Sequence, residues 1–199
     1  MGEAQARRLA PEQRRALLIE AAQETFAARG YTQAGLAEVA TLAGVSKTLL
    51  YHYFPDGRPE LYREVMEQLV IQAVEAVRSA VRIPASPDRR LADLVTALFG
   101  YFERHPDAYR LIILEPWGSG DPGVIAQAMA VRARLAGEIN GLLAPAGQPL
   151  PVTMAGGAAA MGALLHLCEL WLGDQITREQ AIEVSQRFIT AGLSELDLL

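Results

Sequence analysis

Cysteine occurs once in this chain, at Cys168, so no intrachain disulfide can staple the fold, and a reducing compartment suits it. A lone cysteine in an apolar helix reads as inert core rather than as a nucleophile. Lysine is equally scarce: Lys47 is the one lysine, and the other basic residues are arginines. No run alternates apolar and polar residues with period two for long enough to make a strand, which excludes the β and α/β classes. The signatures of catalysis are missing as well. There is no HExxH, CxxC, GxSxG or phosphate-cradling glycine loop, and His52, His105 and His166 are scattered. The glycines of WGSGDPG (117–123) follow no strand, so they read as a surface turn. No metal or cofactor is expected on these grounds, and an enzyme is disfavoured. The opening MGEAQARRLAPEQRR is polar with no apolar stretch behind it, so it reads as a solvated arm and not as a secretory signal.

What remains is the composition of a folded helical protein. At 199 residues, with 51% hydrophobic and 21% charged residues, the chain can bury a sizeable core as one domain or two small ones. The net charge of −5 does not by itself suggest a nucleic-acid partner. Its distribution is uneven, however. Residues 1–58 hold seven basic against six acidic side chains, a net +1, so the net negative charge lies in 59–199. An acidic body discourages indiscriminate adhesion to DNA and confines any footprint to the N-terminal part.

That part holds the most informative stretch, LAEVATLAGVSKTLLYHYF (36–54). Leu36, Val39, Ala40 and Ala43 recur at helical spacing, Gly44 follows where a helix ends in a left-handed residue, and Ser46 is a natural N-cap for a second helix. This is the plan of a helix-turn-helix. The second helix keeps Leu50 and Phe54 for the core and carries Lys47, Thr48, Tyr51, His52 and Tyr53 elsewhere. Donors at that density suit phosphate oxygens and base edges. A helical hairpin inside an ordinary all-α domain is the competing reading.

Residues 30–54 resemble the DNA-binding signature of the TetR (tetracycline-repressor) family of transcription regulators. The resemblance is carried by Gly30-Tyr31, Val39-Ala40, Ala43-Gly44-Val45-Ser46, Leu50-Tyr51 and Phe54, and covers only the first quarter of the chain. It implies that Ser46, Tyr51 and Tyr53 contact the DNA backbone, while Lys47, Thr48 and His52 lie nearer base edges. Two departures stand out. Ala34-Gly35 replaces a Thr pair frequent in the family, and Pro55-Asp56-Gly57-Arg58-Pro59-Glu60-Leu61 replaces a Ser-Lys-x-x-Leu opening of the fourth helix. Arg58 is the candidate to replace the missing lysine.

Proline and glycine punctuate the rest. Helices are predicted from about Pro11–Glu12 to Arg29 (ended by Gly30), from Pro59 to about Val81, and over Arg89–Arg104, Asp107–Leu114, Gly123–Leu143, Val152–Leu172 and Thr177–Leu193. Leu61, Val65, Leu69, Ile71-Gln72-Ala73 and Val77 should face inward on the long helix. Breaks fall at 83–88, 116–122 and 144–151. The 152–172 segment is long enough to span a bilayer. Yet Ala and Gly dominate it, His166 and Glu169 interrupt its end, and prolines crowd its entrance, so no membrane partner is expected. Gly156, Gly157, Ala160 and Gly162 form a small-residue surface for close helix packing. In the last helix Ile182, Phe188, Ile189 and Leu193 can make one apolar face.

The sequence therefore reads as all-α with about nine helices: a three-helix, helix-turn-helix DNA-binding domain over 1–58, and a helical ligand-binding and dimerisation domain over 59–199. The expected function is a cytoplasmic transcription regulator that binds double-stranded operator DNA, a repressor released by a small lipophilic effector of unknown identity. The resemblance implies a homodimer through the last two helices, residues 152–193. The DNA-binding candidates are Ser46, Lys47, Thr48, Tyr51, His52, Tyr53 and Arg58. The ligand-binding candidates are Phe99, Phe102, Tyr109, Trp117, Met129, Arg132, Met161 and His166, with Arg132 and His166 as polar anchors among apolar walls. The rivals are an all-α ligand carrier or enzyme with an incidental hairpin, and a dimerisation adaptor that binds no ligand.

Overall fold

The computed structural model describes residues 10–81, 84–143 and 150–195, so the arm over 1–9 and most of the 144–151 break lie outside the described residues. Nine helices and no strand occur among the described residues. They are α1 Pro11–Gln33, α2 Leu36–Leu42, α3 Lys47–Tyr53, α4 Arg58–Ala80 and α5 Pro87–Arg104, followed by α6, which runs without a break through Pro106–Tyr109, a π-helical turn Arg110–Leu114 and Glu115–Gly118. The last three are α7 Pro122–Leu143, α8 Leu150–Leu172 and α9 Arg178–Glu195.

The chain forms two compact units. One comprises residues up to Leu69 together with Asp107–Val131, the other Val70–Pro106 together with Arg132–Leu199. The first unit is larger than the 1–58 domain read from the sequence, because the start of α4, all but the first residue of α6 and the start of α7 pack with the N-terminal helices. Its centre is aromatic: Phe26 meets Tyr62 edge-on at 5.0 Å, and Tyr31 meets Tyr62 at 5.0 Å. The Tyr62 hydroxyl, fully buried, donates to the Leu111 carbonyl at 2.6 Å. The second unit packs α9 on α8 and α5, with Leu91, Leu94, Leu98 and Phe99 of α5 and Leu164, Leu165 and Cys168 of α8 buried.

Helix ends follow the predicted chemistry closely. Gly30 breaks α1, with φ at 74° and ψ at 165°, and one further turn carries the chain to Gln33. Ser86 caps α5 by accepting from the Arg89 amide, and Thr177 and Gln180 cap the start of α9 reciprocally. Between α8 and α9 the left-handed residue is Asp174, φ 57°, and not the neighbouring Gly173. Three expectations need correcting. Helix α6 does not end at Leu114, since the π turn leads straight into Glu115–Gly118, with Pro116 in the first turn of that piece. Ile71 lies outside the inner face of α4, 47% exposed, and Phe188 lies outside that of α9, 64% exposed. The buried stripe of α9 is instead Ala181, Ser185, Ile189 and Leu193, a strict four-residue repeat.

Buried acids of the wrong protonation state set a ceiling on alkaline stability. Burial pushes the Cys168 thiol from 9.0 up to about 12, and burial first of all raises the Tyr62 and Tyr101 phenols well above 10.0. In the unfolded chain these groups ionise at their ordinary values, so their contribution is complete below pH 9 and is lost as pH rises from there. Each ionising group removes about 1.4 kcal/mol per pH unit. Denaturant titrations at pH 8, 9, 10 and 11 should therefore show a steepening fall in stability, less steep in Tyr62→Phe. That variant should itself be about 1 kcal/mol weaker at neutral pH, because the Leu111 carbonyl loses its donor. A flat pH 8–11 profile would contradict this.

Candidate nucleic-acid interface

The hairpin of α2 and α3 is built by backbone caps before any side chain reaches outward. At the end of α2 the Val45 amide donates to the Ala40 carbonyl at 2.9 Å and the Gly44 amide to the Thr41 carbonyl at 3.1 Å. This is a Schellman closure, and Gly44 takes the left-handed position it requires, with φ at 66°. Val45 is thereby turned into the core. Ser46 then caps α3, its Oγ accepting from the Leu49 amide at 3.2 Å. At the start of α2, Gly35 occupies the N-cap and offers no side-chain bond, the consequence of Ala34-Gly35 at that place.

With Leu50 and Phe54 fully buried, the rest of α3 faces out: Ser46, Lys47, Thr48, Tyr51 and His52 are exposed and Tyr53 is half-buried. The Lys47 ammonium lies 5.9 Å from the centre of the Tyr51 ring, and the His52 and Tyr53 rings meet edge-on at 5.6 Å. The Tyr53 hydroxyl accepts from Arg14 of α1 at 3.2 Å, so one phenol is steadied from the first helix. The corner after Phe54 closes because Gly57 adopts φ +70°. A Cβ there would come within 3.3 Å of both Leu36 and the Tyr51 ring.

Arg58 does not stand among these groups. Its guanidinium donates to the Thr32 carbonyl at 3.1 Å and lies 5.8 Å over the Tyr31 ring, half-buried. It ties α4 to the end of α1, so its placement does not fit the role of a free cation for DNA.

A groove of about 440 Å³ runs between α1 and α2, with Ala28, Ala37 and Leu42 as apolar lining and Glu24 and Glu38 at its edges. Glu38 is paired there with Arg29 at 3.4 Å.

The expected ligand residues divide between the two units. Tyr109, Trp117 and Met129 belong to the first unit, and Phe99, Phe102, Arg132, Met161 and His166 to the second. Phe99, Phe102, Tyr109 and Met161 are buried, Phe99 against Trp171 at 5.5 Å, while Trp117 and Met129 are about half exposed. His166 lies at the surface in a pair with Glu169 at 3.3 Å, a position that does not suit the anchor of an apolar pocket. A groove of about 130 Å³ between α4 and α7, edged by Val70, Ile71, Arg78 and Arg134, contains none of the eight. Pockets for drug-sized ligands run to about 300–1,000 Å³, so this one is too small. No group of three or more His, Cys, Asp and Glu suited to a metal occurs among the described residues.

Two residues that sequence reading passed over hold the base of the hairpin. Arg110 donates to the Phe26 carbonyl at 3.3 Å and also to that of Ala27, while Glu115 accepts from the Tyr31 amide at 2.7 Å. The Tyr31 hydroxyl in turn donates to Asp121 at 3.3 Å; burial first, and then that carboxylate, raise its pKa.

Comparison with known proteins agrees with this geometry. The family model described as bacterial regulatory proteins, tetR family, matches residues 18–65, which contain the whole hairpin. The transcriptional activator FasR of Mycolicibacterium smegmatis is 32% identical over 206 residues, covering 99% of this chain and 90% of the relative. The transcriptional repressor NicS of Pseudomonas putida is 26% identical over 128 residues, covering 64% of this chain and 58% of the relative. In fold, FadR of Bacillus subtilis, solved in complex with stearoyl-CoA, superimposes with a TM-score of 0.71 at 16% identity, over 90% of this chain and 97% of that one. A capped hairpin that turns its donors outward, matched by a relative along nearly its whole length, places the chain in the TetR family of bacterial regulatory proteins, as a helix-turn-helix regulator that binds DNA.

Proposed function

We propose that Lys47, Thr48 and His52 read base edges of operator DNA, with Ser46, Tyr51 and Tyr53 contacting its backbone, and that the protein represses until a lipophilic effector releases it. The observation that carries this reading is the row of exposed donors on α3, set on a hairpin closed by the Gly44 turn and the Ser46 cap. The functional division remains the one read from sequence, a DNA-binding part over 1–58 and a ligand-binding and dimerising part over 59–199, in the cytoplasm. Two copies joined through residues 152–193 would present two α3 helices. Both can bind tightly only when their separation matches one turn of DNA, about 34–36 Å. An effector that favours another separation shifts the population off DNA by its differential affinity and no more.

Support for a long apolar effector comes from the stearoyl-CoA bound by FadR and from the buried Phe99 and Phe102, with the half-buried Trp171 against Phe99. Met161 and Arg132 are the other candidates of the same unit; Tyr109, Trp117 and Met129, in the other unit, and the surface His166 are withdrawn on their placement. The test is a thermal-shift screen of fatty acids and acyl-CoA esters, followed by operator titration with and without each hit. Linkage requires that a ligand lowering operator affinity by some factor, typically about 5- to 150-fold, be weakened by operator DNA to the same extent. A hit that stabilises the protein and leaves operator affinity untouched would show a pocket that is no switch.

The name of FasR favours a second reading, activation on binding. A reporter carrying the operator upstream of its promoter separates the two: repression there is weak, and activation raises output.

A further inference from the structure

We propose that Arg110 and Glu115 are positioning residues for DNA reading, clamping the two sides of the Gly30 break in α1 and so fixing the direction in which the chain enters the α2–α3 hairpin. This rests on the DNA-reading role proposed for α3. The first part of α1 ends at Gly30, and the last carbonyls of a helix generally need donors from outside it. Arg110 supplies donors to two of them, Phe26 and Ala27, and brings a positive charge to the negative end of the helix. Beyond the break the first amide is that of Tyr31, and Glu115 accepts from it. Each side thus meets the charge its exposed backbone groups call for. Gly30 is itself part of the fit, because a Cβ there would collide with the Glu115 carboxylate.

One helix holds both side chains only through its π turn. In an α-helix residues five apart point about 140° away from each other. Here the Glu115 amide bonds to the Arg110 carbonyl, five residues back, which stacks Glu115 over Arg110 and turns both toward α1. The turn is anchored from below: Leu111, Ile112 and Ile113 are buried and the Leu111 carbonyl accepts from Tyr62. A π turn costs hydrogen-bond geometry, and such turns concentrate at functional sites. From Tyr31 the chain has only four residues before α2 begins at Leu36, so an error in direction at the break passes straight to the hairpin.

Base reading needs a fixed hairpin, whereas phosphate binding tolerates a loose one. Arg110→Met and Glu115→Ala should therefore lower operator affinity about tenfold, the cost of one charged hydrogen bond, and leave affinity for unrelated duplex within about twofold. Glu115→Gln keeps an acceptor oxygen for the Tyr31 amide and should restore the parental ratio. Hydrogen exchange gives a readout independent of DNA: protection of residues 31–36 should fall in Glu115→Ala, while that of α4 around Val65 and Leu69 stays. The proposal is overturned if exchange and the operator-to-unrelated ratio both stay parental, or if both affinities fall together with thermal stability, as a merely structural role requires. If the parent itself fails to prefer any operator, the DNA-reading role falls, and exchange at 31–36 alone decides the clamp.

Discussion

Lys47→Ala should lower operator affinity by at least about 30-fold without moving the thermal midpoint. The side chain is exposed and its ammonium lies 5.9 Å from the centre of the Tyr51 ring, so the fold loses an exposed cation–π contact of about 0.5–1 kcal/mol. DNA loses more. A specific contact to a base edge is worth about 1–3 kcal/mol, and a dimer makes it twice, so the lower bound of about 2 kcal/mol already gives the factor stated. Fluorescence anisotropy at several salt concentrations distinguishes the kind of contact. If Lys47 touches a base, its loss falls on the operator and spares unrelated duplex; if it touches phosphate, all sequences weaken and the salt slope drops by about 1 per contact. Tyr51→Phe should behave in the second way and Thr48→Ala in the first, altering the sequence returned by selection from random DNA. Parental affinity for Lys47→Ala would move the reading surface off the start of α3.

The hairpin was legible because its signals are local. Gly44, Ser46 and the spacing of Leu50 and Phe54 act within one or two helical turns, and each does in the structure what its chemistry requires. Gly30 is equally local, and the break fell where it stands. Arg110 and Glu115 were illegible for the opposite reason. Their partners lie more than eighty residues away, and their five-residue spacing implies opposite faces in the α-helix that RLIILE otherwise suggests. Arg58 shows the same limit: a cation beside a DNA-binding motif reads as a phosphate contact until the Thr32 carbonyl is found beneath it. His166 reads equally as a ligand anchor or a surface group because α8 is apolar nearly all round, so periodicity cannot say which side is in; the structure puts it at the surface beside Glu169.

Phe188→Glu should convert the protein to a monomer and remove operator binding at concentrations where the parent is saturated. The structure puts this residue outside the inner face that its sequence suggested. At 64% exposed it stands on the side of α9 away from Ile189 and Leu193, one turn from Val184 at 48%. Two large apolar residues four apart on an outer face are a seam in search of cover. The outer face of α8 complements them with small residues, Ala155, Ala158, Ala159 and Gly162, all exposed. A charge buried at such a seam without a partner is strongly destabilising to the complex, and little affects the free chain, where the site is wet. Gly162 supplies the sharper control. Nothing lies within 4 Å of a Cβ placed there, and the position is exposed, so a side chain at 162 starts outward from its own chain. Gly157, half-buried, offers no such separation. Gly162→Ala should even stabilise the isolated chain by up to about 1 kcal/mol through helix propensity. Gly162→Trp should therefore keep its thermal midpoint as a monomer and yet fail to dimerise if α8 and α9 form the seam. Sedimentation equilibrium over a hundredfold range of concentration reads the outcome. A Phe188→Glu or Gly162→Trp protein that stays dimeric with parental operator affinity would place the two-fold axis on another pair of helices.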